Sequence, residues 1–290
     1  MNDKTPTPKK WGFSDEELAS METVYRDGLM KDQVVLISGG GSGIGRAMAF
    51  LFARLGAHVV VCGRREEKLL DAAKSIKEKI GVDVTCYPMT IRDPEMVDGL
   101  MDMIFDKFGR LDLVVNNGGG QFPQDAIDFS RKGWLAVIDT NLNGTWWMMQ
   151  TAAQRWIERK QAGNIINIVA HVERGMPQAA HTCAARAGVI YLSKSVSTEW
   201  APYTIRVNCV APGSISTEGF AQYPPEATER FHLTNPMKRP GDAWDVAEAV
   251  VYMAAPSGKF ITGEVLTIDG GMQHWGVVWP AGMPDYFKVN

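Results

Sequence analysis

A glycine-rich stretch near the start of the chain has the composition of a turn that can hold phosphate groups. Residues 38–45 read Ser-Gly-Gly-Gly-Ser-Gly-Ile-Gly, between an apolar run at 34–37 and an apolar helical pattern at 44–55. Glycines let the main chain approach a phosphate closely, and the free N–H groups at a helix N-terminus attract its negative charge. Many glycine-rich turns serve only packing, but the flanking strand and helix favour a turn that binds a dinucleotide. The residues expected to form it are Gly39, Gly41, Ser42, Gly43, Ile44 and Gly45.

The second apolar run, at 59–62, is followed by a pair of arginines, Arg64 and Arg65. A site selective for NAD would carry an acidic residue near this position to hold the ribose 2′-hydroxyl. Guanidinium groups bind phosphate instead, with two parallel hydrogen bonds. The sequence therefore predicts NADP(H) as the cofactor, with Arg64 the stronger candidate because Arg65 fits equally well as a solvated residue at a helix start.

Short apolar runs alternate with longer helical patterns along most of the chain. The runs lie at residues 34–37, 59–62, 84–87, 111–115, 165–169, 205–210 and 265–268. Strands that are apolar on both faces are typical of parallel sheets buried between helices. We therefore expect an α/β protein with a single doubly wound parallel sheet, the Rossmann fold, and helices on both faces. Ligands bind such a sheet at the carboxyl ends of its strands, where the irregular stretch 213–240 would lie.

The predicted sheet occupies residues 32–272, between two appendages. Residues 1–31 form an N-terminal extension, in which Ser14 and Glu17 predict a capping box at the start of a short helix. The tail, 273–290, is rich in aromatic residues, which predicts that it packs on this subunit or a neighbour. These aromatic residues are Trp275, Trp279, Tyr286 and Phe287.

The composition excludes several classes of protein. The chain has 290 residues, of which 45% are hydrophobic, and a formal net charge of −3. These values argue against intrinsic disorder and give no basic surface for nucleic acid or an anionic membrane. No apolar run approaches the ~18 residues of a membrane span. Four widely spaced cysteines predict reduced thiols in a cytoplasmic protein and offer no metal site.

Several segments that follow the glycine turn resemble the short-chain dehydrogenase/reductase family. Residues 116–119, Asn-Asn-Gly-Gly, resemble its Asn-Asn-Ala-Gly signature, and 139–144 resemble the segment that carries its catalytic asparagine, here Asn141. Residues 206–213 with Thr217, and 261–271, resemble its sixth strand, its nicotinamide-contacting loop and its last strand. The resemblance covers about 32–272 and implies a dimer or tetramer formed through the helices that hold Asn141 and Arg186. It also implies cofactor contacts from Thr90, Ile91, Asn117, Gly118, Gly119, Arg186, Pro212, Gly213, Ile215 and Thr217.

The catalytic segment departs from the family pattern. Family members place a Tyr and a Lys four residues apart on one helix, preceded by a Ser. The Ala-Gly-Val at 187–189 sets the register, so Thr182 falls at the Tyr position and Arg186 at the Lys position, while 167–171 contains no Ser. A Thr hydroxyl does not ionise near neutral pH, and Arg stays protonated. Such donors suit the oxyanion of an enolate better than the protonation of an alkoxide.

Three strings narrow the resemblance to the peroxisomal trans-2-enoyl-CoA reductase, an NADPH-dependent branch of the family, with the 2,4-dienoyl-CoA reductases as a more distant relation. They lie at 89–93, 116–122 and 181–189. This branch implies an acyl-CoA thioester as substrate, reduction of a conjugated C=C bond, and a place in fatty acid metabolism. The branch carries a Tyr soon after the Gly-Val of this helix, but Tyr191 lies one residue later, which turns it about 100° away from that position.

The expected catalytic residues are Asn141, Thr182 and Arg186, with His181 and His171 as titratable groups beside them. A packed, structural role is as consistent with the pattern at His181 as proton donation. Two other functions stay open. A carbonyl/alcohol dehydrogenase with an atypical proton donor would oxidise alcohols with NADP+, and a non-catalytic protein would bind NADP(H) without turnover.

Overall fold

A parallel sheet forms the centre of the molecule, of which the computed structural model describes residues 11–223 and 225–275. The strands in these residues are β1 (Val34–Ser38), β2 (His58–Gly63), β3 (Thr85–Pro88), β4 (Leu113–Asn116), β5 (Gly163–Ile168), β6 (Ile205–Pro212), β7 (Ile215–Ser216), β8 (Gly241–Asp242) and β9 (Val265–Ile268). Seven of them form one sheet in the order β3-β2-β1-β4-β5-β6-β9, and β7 pairs with β8 separately. The strand order reverses between β1 and β4, which opens a crevice at their carboxyl ends.

Helices cover both faces of this sheet. They are α1 (Asp15–Ser20), α2 (Gly43–Arg54), α3 (Glu66–Ile80), α4 (Pro94–Phe108), α5 (Arg131–Ile138), α6 (Gly144–Glu158), α7 (Ala180–Glu199), α8 (Pro225–Glu229) and α9 (Ala243–Ala254). Successive side chains of a strand point to opposite faces. Val35 and Ile37 therefore pack with the buried residues of α2 and α9, and Val34 and Leu36 pack with those of α4 and α6. The expected doubly wound α/β fold is confirmed.

The helical segment between β4 and β5 is interrupted. A π-helical turn, Asp139–Asn143, joins α5 to α6 without a break in the chain direction. A single π turn inside an α-helix rotates the residues around it, and such turns are frequent at functional sites. Asn141 lies in the middle of this turn and is completely buried.

The short helix of the N-terminal extension is present and packs against the helices on one face of the sheet. Ser14 and Glu17 form the expected capping box, in which each side chain accepts a hydrogen bond from the other residue's N–H. Asp15 pairs with Arg46 of α2 at 2.6 Å and accepts a hydrogen bond from Ser75 of α3, also at 2.6 Å. These contacts fix α1 to two helices of the sheet layer. The domain boundaries expected at 31 and 272 stay a prediction.

The far end of the chain is described only as far as Trp275. Its indole N–H donates to the carbonyl of Leu233, at 3.0 Å, so this residue lies against the irregular stretch after β7. The other aromatic tail residues, Trp279, Tyr286 and Phe287, lie outside the described residues. Within the described parts, no helix combines the length and the apolar character that crossing a membrane would require.

Candidate active site

A cavity of about 270 Å³ opens at the carboxyl ends of β1, β2 and β4. Its walls are the glycine turn, the start of α3 and the loop after β4. Twelve of the residues expected to contact the cofactor line it: Gly39, Gly41, Ser42, Ile44, Arg64, Arg65, Thr90, Ile91, Asn117, Gly118, Gly119 and Thr217. The structure thus brings the glycine turn together with predicted site residues that follow β2, β3 and β4.

The glycines of the turn allow close approaches between main-chain segments. A Cβ on Gly45 would lie 2.2 Å from the carbonyl oxygen of Gly39, and a Cβ on Gly41 would lie 2.9 Å from the main chain of Lys68. Gly39 also has a φ of +68°, which L side chains rarely adopt. Gly45 therefore serves packing of α2 and does not line the cavity. The main-chain N–H of Gly43 donates to the carboxylate of Glu218, at 3.1 Å.

Ser38 connects the glycine turn to the loop after β4, a role that the motif comparison missed. Its hydroxyl accepts hydrogen bonds from the N–H groups of Asn117, at 3.1 Å, and Gly118, at 2.8 Å. The amide of Asn117 donates back to the carbonyl of Ser38, at 3.0 Å. These bonds fix the spacing between the two walls of the cavity. The sequence signal was a serine at the end of an otherwise apolar strand.

Three cations surround the mouth of the cavity. Arg64, Arg65 and Lys68 all line it and are exposed, and none forms an ion pair with a carboxylate in the described part of the chain. Lys68 was not expected; it lies in the first turn of α3, for which Arg65 is the N-cap residue. The cluster leaves a concentration of positive charge beside the glycine turn.

Asn141 and Thr182 meet in the interior, next to the loop after β4. The Asn141 amide donates to the Thr182 hydroxyl oxygen, at 3.1 Å, and to the carbonyl of Gly120, at 2.9 Å. Its own oxygen accepts from the N–H of Gly120, at 3.0 Å. Because Thr182 accepts the bond from Asn141, its hydroxyl hydrogen is left to donate to another group.

Arg186 lies one turn beyond Thr182 on α7, against the same loop. One guanidinium nitrogen donates to the carbonyl of Ile168 at the end of β5, at 2.7 Å, and a second would be only 2.2 Å from a Cβ on Gly119. No carboxylate in the described residues pairs with it. Burial lowers the pKa of Arg186 to about 10, so the group remains charged at neutral pH. The expected cluster of Asn141, Thr182 and Arg186 is therefore assembled in space.

The two histidines differ in their surroundings. His181 is completely buried, stacked on Phe129 at 4.5 Å and edge-on to Phe122 at 4.6 Å. Its Nδ1 accepts from the N–H of Thr182, at 2.8 Å, and burial lowers its pKa. A neutral ring enclosed by aromatic residues favours a packed, structural role for His181 over proton donation. His171 is mostly buried in the loop after β5, and its side chain forms no hydrogen bond to the cluster in the described residues.

A family model described as enoyl-(acyl carrier protein) reductase matches residues 39–273. The solved structure of a short chain dehydrogenase from Bacillus anthracis superposes with a TM-score of 0.79, at 37% identity over 87% of this chain and 100% of that chain. The chain belongs to the short-chain dehydrogenase/reductase family.

The similar proteins within the short-chain dehydrogenase/reductase family indicate to which of its branches this chain is related. A probable 2,4-dienoyl-CoA reductase [(2E)-enoyl-CoA-producing] of Bacillus subtilis is 36% identical, over 83% of this chain and 97% of that protein. The peroxisomal 2,4-dienoyl-CoA reductase [(3E)-enoyl-CoA-producing] of Rattus norvegicus is 33% identical, over 89% of each. A citronellol catabolism dehydrogenase of Pseudomonas aeruginosa has a TM-score of 0.77 at 36% identity, over 87% of this chain and 99% of that one. The chain is a short-chain oxidoreductase related to the 2,4-dienoyl-CoA reductases, and the expected resemblance is confirmed.

Three residues expected on the nicotinamide side of this short-chain dehydrogenase/reductase do not line the cavity at the glycine turn. Pro212 ends β6, and a Cβ on Gly213 would lie 2.9 Å from Asp269. Ile215 lines a separate cavity of about 300 Å³ beside Asp269. The roles of these three residues stay predictions. Tyr191 is 70% exposed on α7, away from the cluster, as its one-residue offset predicts.

The irregular stretch after β7 lies over the loop that carries Gly120. Phe220 packs edge-on to Phe231, at 4.7 Å, and the Tyr223 hydroxyl accepts a hydrogen bond from the Gln121 amide, at 2.9 Å. This stretch is therefore in contact with the candidate active site, as its position after β6 predicts. Among the described residues, no group of His, Cys, Asp and Glu could hold a metal ion.

Proposed function

We propose that this protein uses NADPH to reduce a conjugated C=C bond in an enoyl-CoA or dienoyl-CoA thioester. The observation that carries the proposal is the cluster of Asn141, Thr182 and Arg186, in which hydrogen-bond donors and a fixed positive charge stand where the family pattern has Tyr and Lys. The relation to 2,4-dienoyl-CoA reductases supports the same substrate class.

The chemistry of the substrate explains why such a cluster would suffice. Addition of a hydride to the far end of a double bond conjugated with a thioester moves an electron pair onto the thioester oxygen. The resulting enolate oxygen needs donors, which the Thr182 hydroxyl and the Arg186 guanidinium supply. The α-carbon then takes a proton from water or from His171. A ketone would instead form an alkoxide, which needs an acid at the carbonyl oxygen itself.

The cofactor proposal depends on the cavity at the glycine turn. The close approaches at Gly41 and Gly45 shape a turn at the N-terminus of α2, where N–H groups favour a pyrophosphate. Arg64, Arg65 and Lys68, which lack carboxylate partners in the described residues, suit the additional phosphate of NADPH. When bound, NADPH supplies the hydride. The cation cluster gives the protein its discrimination against NADH.

We also propose that the protein is a homo-oligomer and is cytoplasmic. Trp134 and Leu135 are partly or largely exposed on α5, which leads into the π turn that carries Asn141, and Tyr191 is exposed on α7, which carries Arg186. Exposed apolar residues of this size on neighbouring helices support a contact between copies. The four cysteines are free thiols, which supports a reducing compartment.

The experiment that tests the function follows the absorbance of NADPH with a panel of substrates. The panel contains crotonyl-CoA, octenoyl-CoA and a 2,4-dienoyl-CoA, with the matching ketones and a 3-oxoacyl-CoA as carbonyl substrates. We expect turnover of the conjugated thioesters alone. Turnover of the carbonyl substrates alone would contradict the proposal and favour a dehydrogenase with another proton donor. NADPH binding without any turnover would favour a non-catalytic protein.

The position of the remaining double bond in the product of the dienoyl substrate shows which carbon received the proton. A 2,4-dienoyl-CoA that gains hydrogen at C2 and C5 becomes a 3-enoyl-CoA, and one that gains hydrogen at C4 and C5 becomes a 2-enoyl-CoA. The two outcomes differ in the carbon that receives the proton. Mass spectrometry of products formed in deuterated water therefore reports where the proton donor lies.

A further inference from the structure

An exposed arginine outside the cofactor cavity contacts the π-helical turn that carries Asn141. Arg92 lies in the loop between β3 and α4, and its Nε donates to the Thr140 hydroxyl, at 2.6 Å. A second guanidinium nitrogen donates to the carbonyl of Ala136, at 2.9 Å, and the Thr140 hydroxyl donates to the same carbonyl, at 2.8 Å. Three side-chain and main-chain groups thus converge on the point where α5 becomes the π turn.

This position matters because the hydrogen-bond ladder changes there. In an α-helix each carbonyl accepts from the N–H four residues on, whereas in a π turn it accepts from the fifth. Irregularities in a helix arise, among other causes, where a side chain bonds to groups of its hydrogen-bond ladder. Arg92 and Thr140 both donate to the carbonyl of Ala136, in the last turn of α5 before the π turn begins at Asp139.

Ile91, the residue before Arg92, contacts the other end of the π turn, at Gly144. A Cβ on Gly144 would lie 2.7 Å from the side chain of Ile91 and 2.9 Å from its carbonyl oxygen. The loop that contains Ile91 and Arg92 therefore contacts the π turn at both its start and its end. Asp93 does not neutralise Arg92, since its carboxylate accepts hydrogen bonds from main-chain N–H groups at the start of α4.

We propose that Arg92 is a positioning residue that holds the π turn in its observed form and so directs Asn141 toward Thr182. One residue more or less in a helical turn rotates a side chain by about 100°. Loss of the π form would therefore turn Asn141 away from the Thr182 hydroxyl, to which it now donates at 3.1 Å. The catalytic consequence depends on the proposed function, but the positioning itself does not.

The test compares Arg92→Gln with Arg155→Gln. Arg155 lies on α6 and pairs with Asp102 of α4, so the control removes a similar contact between elements on the same helical segment, away from the π turn. We expect Arg92→Gln to lower kcat about tenfold, to change the Kd of NADPH less than twofold, and to speed hydrogen exchange in peptides that cover 136–145. Arg92→Lys, which keeps the positive charge and one donor nitrogen, should retain part of kcat. Arg155→Gln should change none of these quantities.

Other results would overturn the proposal. They are an unchanged exchange rate at 136–145 in Arg92→Gln, a similar rise in exchange in Arg155→Gln, or a loss of NADPH binding as large as the loss of kcat. If the wild-type protein reduces no substrate in the panel, the proposed reaction fails, and the exchange measurement still decides whether Arg92 holds the π turn.

Discussion

At the scale of single residues, the Thr182 hydroxyl carries the proposed chemistry. Thr182→Val removes the hydroxyl and keeps the shape of the side chain, so we expect kcat on the conjugated thioester to fall by about 100-fold, the usual cost of a lost oxyanion donor. Thr182→Ser, which keeps the hydroxyl, should retain most of the activity. Steady-state kinetics with NADPH give kcat for both variants. An equal kcat for Thr182→Val and wild type would show that the hydroxyl takes no part in the reaction.

Arg64 carries the prediction about cofactor choice. Arg64→Ala removes a group that pairs with the additional phosphate of NADPH, so we expect the KM for NADPH to rise about tenfold while the KM for NADH changes less than twofold. Arg110→Ala, which removes an exposed arginine paired with Asp112 and outside the cavity, serves as the control. An equal rise for both cofactors would contradict the assignment.

His181 gives a prediction about pH. Burial holds its pKa below the ordinary value of 6.5, so below that pH the unfolded chain binds a proton that the folded protein excludes. Stability is therefore lost as the pH falls below 6.5. We expect the free energy of unfolding of the wild type to fall more steeply between about pH 7 and pH 5 than that of His181→Asn, which keeps an acceptor for the Thr182 N–H but does not titrate. Parallel urea titrations at the two pH values make the comparison, and equal slopes would show that His181 does not titrate in this way.

At the scale of elements, Asp15 attaches α1 to the rest of the fold. Burial raises the pKa of this carboxyl, but hydrogen bonds from Arg46 and Ser75 outweigh that effect and hold it below the ordinary value of 3.8. We expect Asp15→Asn to lower the free energy of unfolding by about 2 kcal/mol at neutral pH. The carboxylate's contribution is lost as the pH falls through the folded pKa, so the difference from wild type should shrink below pH 3.8.

The neighbouring acid provides the control for this helix. Glu16 contacts Lys79, and its side chain is 75% exposed, so Glu16→Gln should change the free energy of unfolding much less than Asp15→Asn does. Chemical denaturation of the three proteins decides the point. Equal effects of the two substitutions would mean that Asp15 does not anchor α1.

At the scale of the whole molecule, the exposed apolar residues of α5 and α7 predict self-association. We expect the wild type to be a dimer or tetramer by light scattering, and the double variant Leu135→Glu with Tyr191→Glu to shift toward the monomer, because a charged side chain is costly to bury in an interface. Val24→Glu changes an even more exposed apolar residue of the N-terminal extension and should leave the mass unchanged. A monomeric wild type, or an unchanged mass in the double variant, would contradict a contact between copies through α5 and α7.

The sequence by itself determined the features that depend on local pattern. Runs such as 34–37 are apolar on both faces, which is enough to predict strands of a buried parallel sheet and, from their alternation with helices, the doubly wound fold. The glycine turn and its neighbours gave most of the cofactor cavity. The resemblance of Ala-Gly-Val at 187–189 to the family's helix set the register, and helical spacing then puts Thr182 and Arg186 on one helix face.

Only the tertiary structure decided the contacts between residues far apart in the chain. The bond from Asn141 to Thr182 joins two helices, Ser38 meets Asn117 across two strands, and the aromatic rings that enclose His181 come from the loop after β4. The π turn was not predicted, because it is a single turn of 5 residues, too short for the apolar pattern to reveal which hydrogen-bond partners it uses. Periodicity fixes which side of an element faces inward, whereas the partner that each side chain meets depends on how the elements pack.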